Sequence, residues 1–516
     1  MSSGVSSGSS STDTSLKQVS KNLLSNVFMF IFGMGISFFM VPYYIKSLGV
    51  EAYGLIPLAT SVVGYASILT IAISGGTARF FTLAYQQGDV AQAQRVINTA
   101  FWALAALGAL LLPVLALLSW FAASWFAGET VSPWSARLLF FGASAVFLLS
   151  TLTSSFAVSY QATNRLDIRN NLHLVQLVLQ PALVVLLFTL FEPRLEFVAA
   201  SLLTGSAVWM VLNMVYWRRL IPDVWPAGRM FSRARLKEQM TMGGWLVVNH
   251  VGYILFLQID LVVVNSLIGK VEAGEYASVL QWSTLIRSFA GVLAGVLGPV
   301  ILIRYAQKKF SEVATLSALS VRLLGLGLAI PIGLACGFSE PLLLLWLGEE
   351  FTFLAPLLSL LLAPLVINLS VLPLFNINVC YNKVKVPGLI TVGMGAFNLG
   401  LAILLGSIDS LGVYGVAIAG AVALSAKNAL FTPIYAAHVQ GLRWSRFLGS
   451  MLPGVLLFAA VAGSAFALQA ALQISTWFQL LGLFAALGAG SGLVGLFLFV
   501  SGKERRQLLS MVRKQR

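Results

Sequence analysis

About 14 apolar stretches, each long enough to cross a bilayer as a helix, follow one another along 516 residues. They lie near 22–45, 54–77, 97–124, 135–160, 171–191, 197–217, 241–267, 275–303, 314–338, 351–379, 387–407, 414–438, 446–471 and 476–501. Backbone groups inside hydrocarbon must satisfy one another, which leaves helices or a closed barrel. Barrel strands alternate over about ten residues, whereas these runs are apolar throughout. An all-α polytopic membrane protein is expected. Charged residues amount to 10%, against about 25% in soluble domains. The loops on one side are very short, which excludes a large extracytoplasmic catalytic or receptor module.

The 32 Lys and Arg residues fall mainly in alternate loops. With the N-terminus in the cytoplasm, the even-numbered loops hold Arg79, Arg95, Arg165, Arg169, Arg218, Arg219, Arg229, Arg233, Arg235 and Lys237. Further along they hold Arg304, Lys308, Lys309, Lys383, Lys385, Arg443 and Arg446. The other side carries only Lys46, Arg137, Arg194 and Lys270. Short loops rich in Lys and Arg stay cytoplasmic, so both termini are expected there. The net charge of +14 then reports threading and not nucleic-acid binding. Residues 1–21 read as a disordered cytoplasmic tail, without the apolar core of a signal peptide. Two cysteines, Cys336 and Cys380, exclude a disulfide framework. Trp134, Trp217, Trp346 and Trp477 fall near span ends and read as interfacial anchors.

The longest internal polar segment, 218–240, splits the chain. A first six-helix bundle is expected over 22–217 and a second over 241–438. A helix pair (446–501) and a basic cytoplasmic tail (502–516) follow. Two loop pairs support a repeat: Leu48-Gly49-Val50-Glu51-Ala52-Tyr53-Gly54 with Gly269-Lys270-Val271-Glu272-Ala273-Gly274-Glu275-Tyr276, and Tyr160 to Asn171 with Cys380 to Pro387. Six spans per half give parallel repeats, whose substrate sites lie between the halves.

No phosphate loop, metal-ligand spacing or nucleophile–base constellation occurs, so no cofactor, metal or catalytic residue is expected. What remains is intramembrane charge, which costs about 2.5–3.5 kcal/mol at mid-bilayer and marks function by default. Arg287 lies mid-span in a stripe with Thr284 and Ser288, and Lys427 lies mid-span beside Asn428. Asp260 is the one acid placed to titrate within a span, with Asn249 on the same helical face. Asp260 and Arg287 could instead neutralise each other as a structural pair. Asn22 and Asn26 lie on a polar stripe of the first span that could line a lumen or pack helices. Cations outnumber acids in the spans, which suits an anionic cargo.

Several motifs carry a resemblance: Asn22 to Ser25, Pro42-Tyr43-Tyr44, the Leu48 to Leu55 run, Gly75-Gly76-Thr77-Ala78-Arg79-Phe80, Gly88-Asp89, and Asn98 to Phe101. By these the chain resembles the polysaccharide (O-antigen type) flippases of the multidrug/oligosaccharidyl-lipid/polysaccharide exporter superfamily. The resemblance implies two six-helix bundles, alternating access, and a lipid-linked oligosaccharide moved across the bacterial inner membrane. It implies a transporter and no enzyme. Arg79 carries over as a substrate-binding residue, Arg287 and Lys427 by position, and Asp260 is the ion-coupling candidate for H⁺ or Na⁺. Asn22, Asn26, Asn249 and Thr284 are the cavity-lining candidates. Membrane lipids, a polysaccharide polymerase and chain-length proteins are the partners implied. A multidrug exporter of the same superfamily is the first alternative, and a membrane polymerase or ligase the second.

Overall fold

The computed structural model describes residues 8–226, 230–381, 383–500 and 502, so Arg229 and Lys503 onward lie outside it, as do the side chains of Lys17 and Asn249. The described residues are helical almost throughout, with no strand among them. The first helices are α1 (Gly8–Leu48), α2 (Val50–Gly64), α3 (Ser67–Gln86), α4 (Val90–Phe126), α5 (Pro133–Ala162), α6 (Leu166–Leu190) and α7 (Leu195–Leu220). Then come α8 (Arg233–Leu257), α9 (Ile259–Val263), α10 (Lys270–Ala306), α11 (Phe310–Gly337) and α12 (Ser339–Trp346). The tenth expected span is assembled from a 3₁₀ turn and the short helices α13 (Ala355–Leu362), α14 (Leu365–Ser370) and α15 (Leu372–Cys380). The chain ends in α16 (Lys385–Gly406), α17 (Gly412–Ser425), α18 (Thr432–Val439), α19 (Leu448–Ala471) and α20 (Trp477–Phe499).

Among the described residues, 12 helices are long and apolar enough to cross a membrane. A bent pair, His250–Leu257 with Ile259–Ile268, makes a thirteenth at an angle of 48°. The 37-residue α10 occupies the place of the eighth expected span. The second expected span is broken at Tyr65-Ala66, where α2 gives way to α3. α1 begins at Gly8, so the stretch expected to be irregular up to residue 21 is helical from there. Its Leu16-Lys17-Gln18 run consists of good helix formers with no proline to stop it.

The chain forms two compact units. The first comprises Met1–Ile254 with Gly269–Gly274, the second Leu255–Ile268 with Glu275–Arg516. The 218–240 segment is therefore inside the first unit. Its part up to Trp225 folds back under α7: the Trp217 indole donates to the Val224 carbonyl at 2.6 Å, and Arg218 lies over the Trp225 ring at 4.0 Å. Trp217 is fully buried among Phe81, Ile97 and Phe156. Trp346, in the second unit, is 5% exposed and edge-on to Trp282. Both therefore pack inside their units and do not anchor at an interface as their positions implied, while Trp134 is exposed.

α8 is seated on α3 and α4 within the first unit. A Cβ on Gly76 would come within 2.9 Å of the Gln239 Cα, so only glycine admits this approach. Gln239 is buried and donates from Nε2 to the Val96 carbonyl at 3.1 Å. Leu236 joins the apolar cluster of Ile73, Ala100 and Leu104. Further along, Ser67 Oγ and His250 Nε2 share a hydrogen bond of 2.6 Å.

In the second unit, α11 and α19 are in close contact through glycines. A Cβ on Gly454 would sit 3.0 Å from the Gly325 Cα. Gly488 and Gly492 of α20 lie against Ile330 of α11. The C-terminal helix pair is thus part of the second unit's packing.

The repeat recurs in the backbone. Tyr85, Gln87 and Gly88 match Tyr305, Gln307 and Lys308 at a spacing of 220 residues, the same spacing as Gly49 and Gly269. Gly88 and Lys308 both adopt left-handed conformations, with φ of 75° and 59°, just before α4 and α11. Gly128-Glu129 and Gly348-Glu349 match at that spacing too.

Candidate functional site

The second unit holds the buried intramembrane charges Asp260 and Lys427. At Gln258 the seventh span breaks, and α9 begins with Asp260 on its first turn. Asp260 is 8% exposed. Asn398 of α16 donates to its Oδ1 at 3.3 Å, and the Tyr276 hydroxyl of α10 donates to its Oδ2 at 3.4 Å. The same Asn398 amide donates to the Leu255 carbonyl at 3.0 Å, tying the broken end of α8 to the carboxyl. The Asn398 Oδ1 is buried with no hydrogen-bond donor among the described residues. Gly420 of α17 faces both groups: a Cβ there would lie 3.4 Å from the Asp260 Oδ2 and 3.8 Å from the Asn398 Oδ1. Two oxygens thus converge opposite a residue with no side chain.

Arg287 is placed so that its charge acts on both Asp260 and Tyr276. Its Nε donates to Ser283 Oγ one turn back, at 3.3 Å. The carboxyl's hydrogen bonds therefore come from Asn398 and Tyr276, and Arg287 adds field. Thr284 shares α10 with Arg287, is exposed, and bonds its own helix at the Leu280 carbonyl.

Lys427 occupies a π-helical segment, Ala426–Phe431, between α17 and α18. It is 8% exposed. Its ammonium lies 5.3 Å from the Phe375 ring centroid and 5.7 Å from that of Phe256. No ion pair to it exists among the described residues. Cation–π attraction compensates part of the cost of burying an ammonium. Beside it, Asn428 donates to the Asn368 carbonyl at 3.2 Å, fixing the π segment to α14.

Arg79 belongs to the first unit. With Gly75, Ala78, Thr82, Leu83, Gln86 and Gln161 it lines a cleft of about 540 Å³. Asn22 is buried and committed to packing. It donates to the carbonyl and side-chain oxygens of Asn164, and accepts from the Asp167 amide at 3.0 Å. Asn26 accepts from Asn170 at 2.7 Å. Asn22 fastens α1 to the α5–α6 turn and Asn26 fastens it to α6, so of the two readings of that stripe the packing one describes their contacts. Asn249 lies on α8, its side chain outside the described residues.

The sequence reading found Asp260, Arg287 and Lys427 but not Asn398, Tyr276, Phe256, Phe375 or Gly420. A lone asparagine in the apolar run 387–407 was the available signal for Asn398. The aromatic rings carried none, being ordinary span residues.

A long series of apolar helices with a charged site buried in one unit defines a polytopic membrane protein. The family described as "Polysaccharide biosynthesis protein" matches residues 19–304, more than half of the chain. The uncharacterized membrane protein EpsK of Bacillus subtilis (strain 168) is 33% identical over 496 residues, covering 95% of this chain and 96% of EpsK. The chain therefore belongs to the polysaccharide biosynthesis protein family. Its fold is shared with solved structures of low sequence identity. The lipid II flippase MurJ in an inward closed conformation is 14% identical at a TM-score of 0.66, covering 94% of this chain and 99% of that one. An inward-facing multidrug resistance MATE family transporter of the MOP superfamily is 16% identical at 0.61, covering 85% and 94%.

Proposed function

We propose that this protein is a flippase. It carries a polyprenyl-diphosphate-linked oligosaccharide from the cytoplasmic to the outer leaflet of the bacterial inner membrane by alternating access. The observation that carries this reading is Lys427: an ammonium buried within the spans, lacking an acidic partner among the described residues, in a family devoted to polysaccharide biosynthesis. A buried ammonium without a counter-ion is costly unless an anion visits it. Arg287, whose charge already works on Asp260, would serve the same diphosphate, and Arg79 would bind substrate within the first unit's own cleft. The lipid tail never leaves hydrocarbon, so the protein need only solvate the head group. ATP is not required: each negative charge moved outward across 100 mV gains about 2.3 kcal/mol, so a diphosphate gains about 4–5 kcal/mol. Asp260 would couple transport to an inward H⁺ or Na⁺, with the Asn398 Oδ1 as a second oxygen. Both termini face the cytoplasm, from the basic-loop bias.

Reconstitution tests the reading. In vesicles containing a fluorescent polyprenyl-diphosphate oligosaccharide, the protein should render the inner-leaflet pool accessible to an external glycosidase. An imposed potential or a Na⁺ or H⁺ gradient should speed it. Unchanged accessibility in protein-containing and empty vesicles would end the proposal. Gradient-driven efflux of an organic cation in its place would establish the multidrug alternative.

A further inference from the structure

Three turns of the second unit meet at one corner. The turn between α10 and α11 carries Arg304, Tyr305, Lys308 and Lys309, and that between α15 and α16 carries Tyr381, Lys383 and Lys385. The turn between α18 and α19 carries Arg443, Trp444 and Arg446. The first two touch through Tyr305 and Tyr381, whose ring centroids are 4.8 Å apart. Tyr381 shares one apolar cluster with Leu442 and Phe447, which brings in the third. Glu312, at the start of α11, is claimed by Arg304 and Lys309, each at 3.3 Å. Lys308, Lys383, Lys385, Arg443 and Arg446 are exposed and make no ion pair among the described residues. Trp444 and Phe310 stand exposed among them, at 64% and 50%.

The first unit handles its corresponding turns differently. Where α11 has Lys309 before it, α4 has Asp89, which caps the Gln92 amide at 2.9 Å. At the start of α6, Asp167 binds both Lys21 and Arg165 at 3.1 Å. Arg218 and Arg219 lie over Trp225 and Tyr216. The first unit thus gives these cations a carboxylate or an aromatic ring. The second sets lysines at the starts of α11 and α16, where the helix dipole disfavours positive charge. Threading explains which side these residues occupy, but not the convergence of five cations that make no ion pair among the described residues.

We propose that this corner is a docking surface for anionic phospholipid, its cations taking head-group phosphates and its exposed rings entering the interface. The full-length protein, purified in mild detergent, would be exchanged into nanodiscs of phosphatidylcholine with and without phosphatidylglycerol. Bound lipid is then counted by mass spectrometry after stringent washing. The wild type should retain phosphatidylglycerol selectively. Lys308→Gln/Lys383→Gln/Lys385→Gln should lower that retention by about tenfold, since each surface cation contributes appreciably. Arg443→Gln/Arg446→Gln, on a separate turn, should lower it independently, and Arg218→Gln/Arg219→Gln should leave it unchanged. Retention should fall with salt. Equal retention by the wild type and both corner variants overturns the proposal, as does an equal loss in the Arg218/Arg219 control. Full displacement by millimolar inorganic phosphate overturns it as well, because it would mark a discrete phosphate site.

Discussion

The Lys427 ammonium meets two phenyl rings, at 5.3 and 5.7 Å from their centroids. Replacing Lys427 by Met keeps volume and apolar contact with Phe256 and Phe375 while removing a desolvated charge. Removing an unpaired buried charge relieves its desolvation penalty. The thermal midpoint of Lys427→Met should stay level or rise while oligosaccharide translocation falls by tenfold or more, roughly the loss of one charge-assisted contact. A lowered midpoint with full transport would make Lys427 structural. Asp260 and Arg287 allow a sharper division. Were they merely a neutral pair, Asp260→Asn/Arg287→Gln would restore what either single change removes. Because Asn398 and Tyr276 already bind the carboxyl, the double variant should fold, reach the membrane and stay inactive. Export at the wild-type rate would remove Arg287 from the proposed diphosphate site.

At the level of elements, α8 depends on a missing methyl group. Gly76→Val should push Gln239 off α3 and cost about 1–3 kcal/mol, the usual penalty of overpacking, seen as a lower thermal midpoint. Gly88→Val should also destabilise, since that turn needs a left-handed residue. Hydropathy made the spans legible because bilayer thickness dictates their length, and it left their breaks unmarked. The bend at Gln258, the π segment under Lys427 and the fragmentation of 349–380 arise where side chains such as Asn398 and Asn428 take up backbone carbonyls. Those partners are distant in sequence, and no periodicity announces them. Charge inside a span is conspicuous by cost alone, so the ionisable residues of the candidate site could be read in advance while their partners could not.

On the scale of the whole molecule, the basic-loop bias makes a labelling prediction. With Cys336 and Cys380 replaced by serine, single cysteines at Glu129, Glu349 and Asp409 should react with an impermeant maleimide in intact cells. One at Glu238 should react only after permeabilisation. External labelling at Glu238 would reverse the threading. The repeat was visible in two loop pairs, and the 220-residue spacing extends it to the matched turns before α4 and α11. Its halves have diverged in charge: the positions 220 residues before Asp260, Arg287 and Lys427 are Met40, Ser67 and Ala207.

The boundary between units has a genetic consequence. The obvious place to divide the gene, within the polar 218–240 segment, would leave α8 on the later fragment and its seat on the earlier one. Neither product would be a finished domain: one would bear an open groove at Gly76, Ile73 and Ala100, the other a helix shaped to fill it. Co-expressed, the two polypeptides should find each other without a covalent joint and copurify. Gln239→Arg, which puts a charge into that groove, should part them.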